Sequence, residues 1–350
     1  MALPVPTPDP TRGPFADEAA LERALASADA PLRADLARAP GDIVVLGAGG
    51  KMGPSLCRLA RDADPDRRIV AVARFSEPGV REALERERIE TVAADLLDRE
   101  SVAALPDAPN VLFMAGRKFG SSGAEHLTWA MNALCPALVA ERYREARIVA
   151  FSTGCVYPFW PVDADSGPTE SVAPNPPSGD YAWSCVARER AFEHGSAVHG
   201  TPGRLFRLNY AIDMRYGVLH DVGAKVLAGE PVDVAMGHVN VIWQRDANAW
   251  ALRCLAHATA PTTPINATGL GTVSVRSLAH RFAERFDRPA RIVGEESDTA
   301  WLNDASAAHA AFGPPEVGLE DLIDWTAHWL EHGGRSLAKP THFEARDGRY

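Results

Sequence analysis

The stretch DIVVLGAGGKMG, residues 42–53, constrains the fold of this chain more than any other part of its sequence. It opens with the apolar run IVVL, which is typical of a short strand buried on both faces of a parallel sheet. Glycines follow at positions 47, 49, 50 and 53, and the next segment, PSLCRLARDA, has helical spacing. The order of strand, glycine-rich turn and helix predicts a βα unit whose turn binds phosphate groups.

The alternation of strands and helices continues along the chain. Further apolar runs predict strands at RIVAVARF, TVAADLLD, NVLFMAG, RIVAFSTGCVY and GRLFRLNYA. We therefore predict an α/β fold with a doubly wound parallel sheet, a Rossmann fold, and a smaller mixed substrate domain. The dinucleotide-binding domain is predicted over residues 41–210 and the substrate domain over residues 211–335. Residues 1–40 are interpreted as an N-terminal arm with a helical extension, and residues 336–350 as a polar, loosely held tail.

The glycines at 47, 50 and 53 form a G-x-x-G-x-x-G motif that suits the pyrophosphate of a dinucleotide. Gly47, Gly50 and Gly53 tolerate unusual backbone angles and let the phosphates approach backbone N–H groups, while the following helix aims its positive end at them. Lys51 and Met52 lie inside this loop and are candidate cofactor contacts. Lys51 either adds charge beside the pyrophosphate or is a solvated surface lysine.

The end of the second predicted strand bears on the choice of cofactor. NAD-binding folds usually carry an acidic residue there, which holds the ribose hydroxyls. This chain has AVARFS instead, and Arg74 stands about where the acid would be. Because arginine pairs with a 2′-phosphate and a carboxylate repels it, NADP is the favoured cofactor and NAD the alternative. The other interpretation of Arg74 is an ordinary surface arginine.

Charge and composition exclude several other classes of function. A net charge of −10 argues against a nucleic-acid-binding surface, and no apolar run approaches the roughly 18 residues of a membrane span. The five cysteines form no C-x-x-C pair and the eleven histidines show no ligand spacing, so free thiols and no metal site are expected. Since the N-terminus also lacks an apolar signal core, we expect a cytoplasmic protein.

Together with the glycine loop, several later segments resemble the extended short-chain dehydrogenase/reductase family, also called the NAD-dependent epimerase/dehydratase family. The resemblance runs over about residues 42–330, and it is carried by ADLLD, LFMAG, WAMNALCPALV, FSTGCVYP and RLNYA. It implies contacts of Asp95 and Leu96 with adenine and of Ala115 and Gly116 with the nicotinamide ribose. Asn209 and Tyr210 would then border the nicotinamide and the substrate.

The same resemblance implies the catalytic residues. The catalytic hydroxyl falls on Thr153, the general acid/base on Tyr181 and the active-site asparagine on Asn132, in a helix that we expect to kink at Pro136. Ser152 and Cys155, on either side of Thr153, are candidate substrate contacts. In the proposed scheme Tyr181 exchanges a proton with the substrate oxygen, which Thr153 positions, and the nicotinamide exchanges the hydride.

The chain departs from the family at one catalytic position. The family has a lysine four residues after the tyrosine, which binds the nicotinamide ribose and lowers the pKa of the tyrosine. Here that position is Cys185. One explanation is that another cation replaces the lysine, with Lys118 in the loop after the fourth strand preferred over Arg188, one helical turn after Cys185. The others are a reaction that needs less activation of the tyrosine, and a protein that binds a dinucleotide without turnover.

The resemblance implies an NAD(P)-dependent oxidoreductase, epimerase or dehydratase that acts on a secondary alcohol or ketone of a sugar or sugar-derived metabolite. The C-terminal half lacks a GDGxxxRDF-like stretch, so a free sugar or sugar acid stands beside a nucleotide sugar as candidate substrate. The alternatives are a non-catalytic dinucleotide-binding sensor or partner protein, and a non-redox lyase or isomerase with a structural cofactor. A homodimer formed through the helices of Asn132 and Tyr181 is expected.

Overall fold

A seven-stranded parallel sheet forms the centre of the computed structural model, which describes residues 11–118, 123–339 and 341–347. In space the strands follow the order β7-β6-β5-β4-β1-β2-β3, and each neighbouring pair runs parallel. The bounds of these strands are β1 Ile43–Leu46, β2 Ile69–Ala73, β3 Glu90–Ala93, β4 Asn110–Phe113, β5 Arg147–Thr153, β6 Gly203–Leu208 and β7 Thr263–Ala267. The prediction of a doubly wound parallel sheet is confirmed.

The strand order reverses next to β1. The chain passes from β1 outward to β2 and β3, then crosses back so that β4 pairs with the other side of β1. Residues of β1 and β4 are fully buried, because helices cover both faces of the sheet. In such sheets, a crevice for ligands opens at the carboxyl ends of the strands beside the reversal.

The seventh strand lies outside the range predicted for the dinucleotide-binding domain. Strand β7 pairs with β6 from Thr263 to Ala267, well after residue 210. The sequence TPINA contains a proline and two polar residues, so it shows no continuous apolar run. This composition is compatible with a strand because β7 lies at the edge of the sheet and pairs on one side only.

Thirteen α-helices flank the sheet or build the smaller domain in the described residues. They are α1 Glu18–Leu25, α2 Ala30–Arg38, α3 Gly53–Ala63, α4 Val80–Arg86, α5 Arg99–Ala103, α6 Glu125–Trp129, α7 Cys135–Arg142, α8 Asp180–His199, α9 Val218–Ala228, α10 Gln244–Arg253, α11 Val275–Phe286, α12 Ser306–Phe312 and α13 Leu319–Glu331. No helix among the described residues is both long and apolar enough to cross a membrane.

A π-helical turn, Ala130–Leu134, joins α6 to α7 where the sequence predicts a kink at Pro136. Proline has no N–H to donate to the carbonyl four residues earlier, which is that of Asn132. The backbone widens instead, and Cys135 donates its N–H to the carbonyl of Ala130, five residues back. Single π turns often occur at functional sites, and this one presents Asn132.

The smaller domain packs helices α9, α11 and α13 around a second hydrophobic core, to which α1 also contributes. Four pairs of short strands accompany it: Trp160–Pro161 with Thr299–Ala300, Ala211–Ile212 with Ile242–Trp243, Pro231–Asp233 with Arg291–Val293, and His238–Val239 with Val273–Ser274. The C-terminal segment differs from the loosely held tail that the sequence predicts. Phe343 is buried in this core, and Thr341 donates to the carboxylate of Asp221 through both its N–H and its hydroxyl.

Candidate active site

A cleft of about 760 Å³ opens at the carboxyl ends of β1, β4 and β5. One wall consists of the glycine loop, residues 114 and 116–118 after β4, and residues 151–152 on β5. Helix α8 contributes Tyr181 and Arg188, and the opposite side is formed by α1 and by residues 335, 337 and 339 of the C-terminal segment. The cleft thus lies where the strand order predicts a ligand crevice.

The glycine loop has the geometry that a pyrophosphate requires. Gly47 has φ +89°, and a Cβ there would lie 2.5 Å from the backbone nitrogen of Ala115. A Cβ on Gly53 would lie 2.3 Å from the carbonyl oxygen of Ala48, so neither position accepts a side chain. Helix α3 begins at Gly53 behind Met52, whose side chain does not cap it. The N–H of Gly53 donates to the carbonyl of Gly50 at 3.3 Å and Pro54 has no N–H, so what the start of α3 offers an anion is chiefly the positive end of the helix dipole.

Lys51 lies in the wall of the cleft, with its Nζ 3.4 Å from the centre of the Tyr216 ring. Burial, together with the nearby charges of Lys118 and Lys339, lowers the pKa of Lys51 to about 7. The ammonium group of Lys51 therefore loses its proton near neutral pH in the free protein. A phosphate group in the cleft would stabilise the charged form, which is the behaviour expected of a cofactor contact.

The residues predicted to contact the adenine half of the cofactor lie outside the cleft walls. Arg74 is exposed and lies outside the cleft walls, and Asp95 is exposed with its carboxylate accepting the N–H of Leu97 at 3.0 Å. Leu96 is buried in the core. The cleft is lined instead by residues 77–80, which sequence reasoning missed. Lys339 of the C-terminal segment pairs with Glu77 at 3.1 Å. This contact joins distant parts of the chain, so no local sequence pattern predicts it.

Tyr181, Thr153 and Cys185 come together on the side of α8 that faces β5. Tyr181 shares hydrogen bonds with the side chains of Thr153 and Cys185, and Thr153 Oγ1 accepts the N–H of Cys155 at 3.1 Å. Burial raises the pKa of Tyr181 well above its ordinary value, and burial also raises that of the Cys185 thiol. In the free protein the tyrosine is therefore a protonated hydroxyl.

Asn132 joins the loop after β4 to helix α8. Its Nδ2 donates to the carbonyl of Arg117 and to Ser184 Oγ, both at 2.9 Å. Its Oδ1 accepts the N–H of Arg117 at 2.9 Å and Arg188 Nη2 at 2.6 Å. Asn132 is fully buried. Its hydrogen bonds thus fix the position of the loop and of Arg188 rather than reaching a substrate.

Two cations lie near Tyr181. The Nζ of Lys118 is 5.8 Å from the centre of the Tyr181 ring and donates to the carbonyl of Thr341 at 3.4 Å. Burial lowers the pKa of Lys118. The guanidinium of Arg188 lies against Gly116, where a Cβ would be 2.5 Å from its Nη2. The structure therefore brings both candidate replacements for the missing lysine into one cleft.

The remaining predicted contacts lie around these groups, but several are occupied by protein partners. Ser152 lines the cleft and donates to Glu189 Oε1 at 2.6 Å. Asn209 is buried and donates to the carbonyl of Trp301 at 3.2 Å. Ala115 and Cys155 are also buried, whereas Tyr210 is half-buried with φ +40°. Burial raises the pKa of Tyr210 well above its ordinary value.

No cluster of metal ligands accompanies these groups. Within residues 11–118, 123–339 and 341–347, the His, Cys, Asp and Glu side chains form no group of three or more that could hold a metal ion. The polar side chains that line the cleft are serine and tyrosine hydroxyls, lysine and arginine cations, and the carboxylates of Glu18, Glu22 and Glu77. This set suits binding of an anionic dinucleotide and proton transfer to an oxygen.

Comparison with solved structures gives the same fold. The UDP-glucose 4-epimerase of Thermus thermophilus, in complex with NAD, has a TM-score of 0.70 at 18% identity and matches 83% of this chain and 99% of its own. The dTDP-glucose 4,6-dehydratase of Streptomyces venezuelae, with NAD bound, has a TM-score of 0.70 at 18% identity over 83% and 97%. The UDP-glucuronic acid 4-epimerase of Bacillus cereus, with UDP-glucuronic acid and NAD, has 0.69 at 17% over 83% and 99%.

Comparison of the sequence with known proteins and with family profiles gives a second result. No curated protein is similar enough in sequence to be matched. Residues 43–213, which include β1 to β6, the glycine loop and helix α8, match the profile described as the NAD dependent epimerase/dehydratase family. Over these residues, just under half of its length, the chain is similar to the NAD dependent epimerase/dehydratase family.

Proposed function

We propose that this protein is an NAD(H)-dependent enzyme that moves a hydride to or from a secondary alcohol or ketone carbon of a sugar or sugar-derived substrate. The observation that carries the proposal is the hydrogen bond between Tyr181 and Thr153 in a cleft whose other wall is the glycine loop. A tyrosine hydroxyl within reach of a bound nicotinamide is suited to exchange a proton with the oxygen on the reacting carbon. The similarity of residues 43–213 to the epimerase/dehydratase family supports this chemistry.

The residues of the cleft fit a nicotinamide dinucleotide. The start of α3, which no side chain caps, and Lys51 would hold the pyrophosphate, and Gly116 lines the same cleft. When bound, the nicotinamide supplies the hydride acceptor or donor. We favour NAD over NADP, which corrects the expectation from Arg74, because Arg74 lies outside the cleft walls and Glu77 lines them. The NAD held by the three related structures agrees with this choice.

The roles of the protein groups follow from their protonation. Because burial keeps Tyr181 protonated, the proton that a reduced ketone must receive is present on it, and a nearby positive charge makes that proton easier to release. In the oxidative direction the substrate hydroxyl gives its proton to the ionised form of Tyr181, and because burial disfavours that form, the step is easier at higher pH. Thr153 orients the oxygen through the hydrogen bond that it shares with Tyr181. Asn132 acts as a positioning residue, since all its hydrogen bonds go to protein groups.

The substrate class is a sugar or a derivative of one. Two of the related structures are named for UDP-sugar epimerases and one for a dTDP-glucose dehydratase. In this chain Lys339 and Arg335 also line the cleft, where they pair with Glu77 and Glu18, and such cations are also suited to a substrate with a carboxylate or phosphate group. A nucleotide sugar and a free sugar acid both meet this requirement.

One observation favours a second function, that of a dinucleotide-binding sensor without turnover. The Cys185 thiol shares a hydrogen bond with Tyr181 where the family has a charged lysine, and burial keeps the thiol neutral. A sensor would bind NADH tightly and turn over no sugar. A non-redox lyase or isomerase with a structural cofactor would convert substrate without any transient change in NADH.

We also propose that the protein forms a homodimer. Four large apolar side chains, Leu127, Trp129, Leu134 and Trp183, are each about two-fifths exposed on α6, the π turn and α8. A second copy packing against this face would bury them. Sedimentation analysis is expected to give a dimer, and the variant Trp183→Glu a monomer. A monomeric parent protein would contradict the proposal.

The experiment that tests the function is a substrate screen with two readouts. The protein is incubated with NAD+ and UDP-glucose, UDP-glucuronic acid or free glucuronic acid, while NADH absorbance and the stereochemistry of the sugar are followed. Conversion of at least one sugar, lost in Tyr181→Phe and kept in the matched variant Tyr143→Phe, is expected. Tyr143 is a buried tyrosine that donates to the carbonyl of Pro106 at 2.9 Å, outside the cleft walls. Full turnover by Tyr181→Phe would refute the scheme.

A further inference from the structure

We propose that Arg188 replaces the missing lysine: it supplies the fixed positive charge beside Tyr181 and holds the ribose of the nicotinamide half of the cofactor. This inference rests on the proposed function, because it requires a nicotinamide dinucleotide in the cleft. Residues 181, 185 and 188 lie on one face of α8, since helical neighbours are three, four and seven residues apart. A charge moved from position 185 to 188 therefore stays on the face that carries the tyrosine.

The guanidinium of Arg188 is held in one position. Its Nη1 donates to the carbonyl of Phe151 on β5 at 2.8 Å, and its Nη2 donates to Asn132 Oδ1 at 2.6 Å. The residue is 6% exposed, and it lines the cleft. The guanidinium therefore joins the carboxyl end of β5 to the π turn at the edge of the cleft.

Gly116 makes room for this arginine. A side chain at that position would place its Cβ 2.5 Å from Arg188 Nη2 and 3.2 Å from Asn132 Oδ1. The family resemblance implies that the loop carrying Gly116 lines the nicotinamide ribose. The arginine therefore approaches the loop at the point where the ribose is expected. Each Nη of Arg188 has a second N–H besides the one given to Phe151 or Asn132, and ribose hydroxyls are suitable acceptors for it.

The charge of Arg188 also acts on the tyrosine. It opposes the effect of burial on the pKa values of both Tyr181 and Cys185. Lys118 is close to the ring as well, but burial lowers its pKa and weakens its charge. Arginine keeps its charge in buried sites. Arg188 therefore meets both requirements of the absent lysine, whereas Lys118 meets the electrostatic one only in part.

The test compares two ligands that share the adenosine diphosphate half. Binding of NADH and of ADP is measured by titration calorimetry for the parent protein and for Arg188→Met. We expect the dissociation constant of NADH to rise about tenfold or more, as for the loss of a charge-assisted hydrogen bond, and that of ADP to change less than about twofold. An unchanged ratio of the two constants would overturn the inference. A parent protein that binds neither ligand would instead refute the proposed function.

A matched control and two further variants keep the result interpretable. Arg253 on α10 also donates to one backbone carbonyl, that of Phe312, and to one side chain, that of Asp35, but outside the cleft walls. Arg253→Met is expected to leave the NADH-to-ADP ratio unchanged. If Arg188→Met does not fold, Arg188→Lys replaces it, with a smaller rise in the same ratio expected. Adding Cys185→Lys to Arg188→Met returns the charge to position 185 and is expected to restore NADH binding; failure to do so contradicts the relocation.

Discussion

The two ends of the cleft differ in how closely they follow their family. The glycine loop between β1 and α3 has every glycine where the motif requires it, and two of them exclude any side chain by contacts of 2.5 Å or less. The face of α8 behind the substrate end keeps Tyr181 but has Cys185 in place of the charged residue, with Arg188 one turn further on. The phosphate-binding end of the site is therefore conventional, and the substrate end is rearranged at position 185.

The difference has a physical origin. The phosphate-binding end depends on backbone N–H groups and on the absence of Cβ atoms, so no other residue type performs the same role. The catalytic end depends partly on a charge, which acts through space and can be supplied from more than one position. Relocation of a cation is therefore tolerated where replacement of a glycine is not.

The largest expected effect comes from removing the Tyr181 hydroxyl at the substrate end of the cleft. Tyr181→Phe is expected to lower kcat by about 10²–10⁴, because general acid–base catalysis contributes that much. Its NADH affinity should be unchanged, since the glycine loop is untouched. Steady-state kinetics with the best sugar from the screen and NADH titration provide the two values. A loss of NADH affinity equal to the loss of kcat would show that the two ends are not separable.

The second test perturbs the conventional end alone. In Gly53→Ala the new Cβ would lie 2.3 Å from the carbonyl oxygen of Ala48, and overpacking of this kind costs about 1–3 kcal/mol. We expect a lower urea midpoint and weaker ADP binding. The control is Gly318→Ala, since a Cβ there meets nothing within 4 Å and the backbone φ is −77°. Parent-like ADP binding by Gly53→Ala would contradict the assignment of the loop.

The third test uses pH at the conventional end. Lys51 has a pKa of about 7 in the free protein, so it is charged below that pH and neutral above it. Because a pyrophosphate favours the charged form, binding takes up a proton above pH 7, and the dissociation constant of ADP should rise by up to about tenfold per pH unit. In Lys51→Gln this dependence should be absent. A pH-independent constant in the parent protein would place Lys51 away from the phosphates.

The smallest expected effect concerns Arg74. Since this residue is exposed and outside the cleft walls, Arg74→Ala should change the dissociation constants of NADH and NADPH by less than about twofold. Both constants are obtained by titration. A selective loss of NADPH binding would restore the original expectation that Arg74 selects NADP.

The sequence was informative wherever local physics decides the structure. Strands β1, β2 and β4 are apolar runs because they are buried on both faces, and the glycine motif follows from the backbone geometry of the turn. Strand β7 was missed because an edge strand needs neither an apolar run nor a full set of N–H donors. The same reasoning predicted a kink at Pro136 but could not distinguish it from a π turn.

At the substrate end, the sequence indicates which residues are involved but not the contacts that they make. The spacing of Thr153 and Tyr181 indicated a pair, but the preference for Lys118 over Arg188 rested on loop position alone. The bonds from Arg188 to Phe151 and Asn132 join residues 37 and 56 positions apart, so they depend on the assembled fold. The contact of Lys339 with Glu77 spans 262 positions and had no signal in either segment.

The most direct test of the account is a crystal structure of the protein with NADH bound. We expect the pyrophosphate to lie at the start of α3 and the nicotinamide ribose to lie within hydrogen-bond distance of Arg188. The Tyr181 hydroxyl would then face the nicotinamide beside Thr153. A nicotinamide half that lies away from Tyr181, or a ribose held by Lys118 with Arg188 bound only to Phe151 and Asn132, would contradict the relocation of the charge.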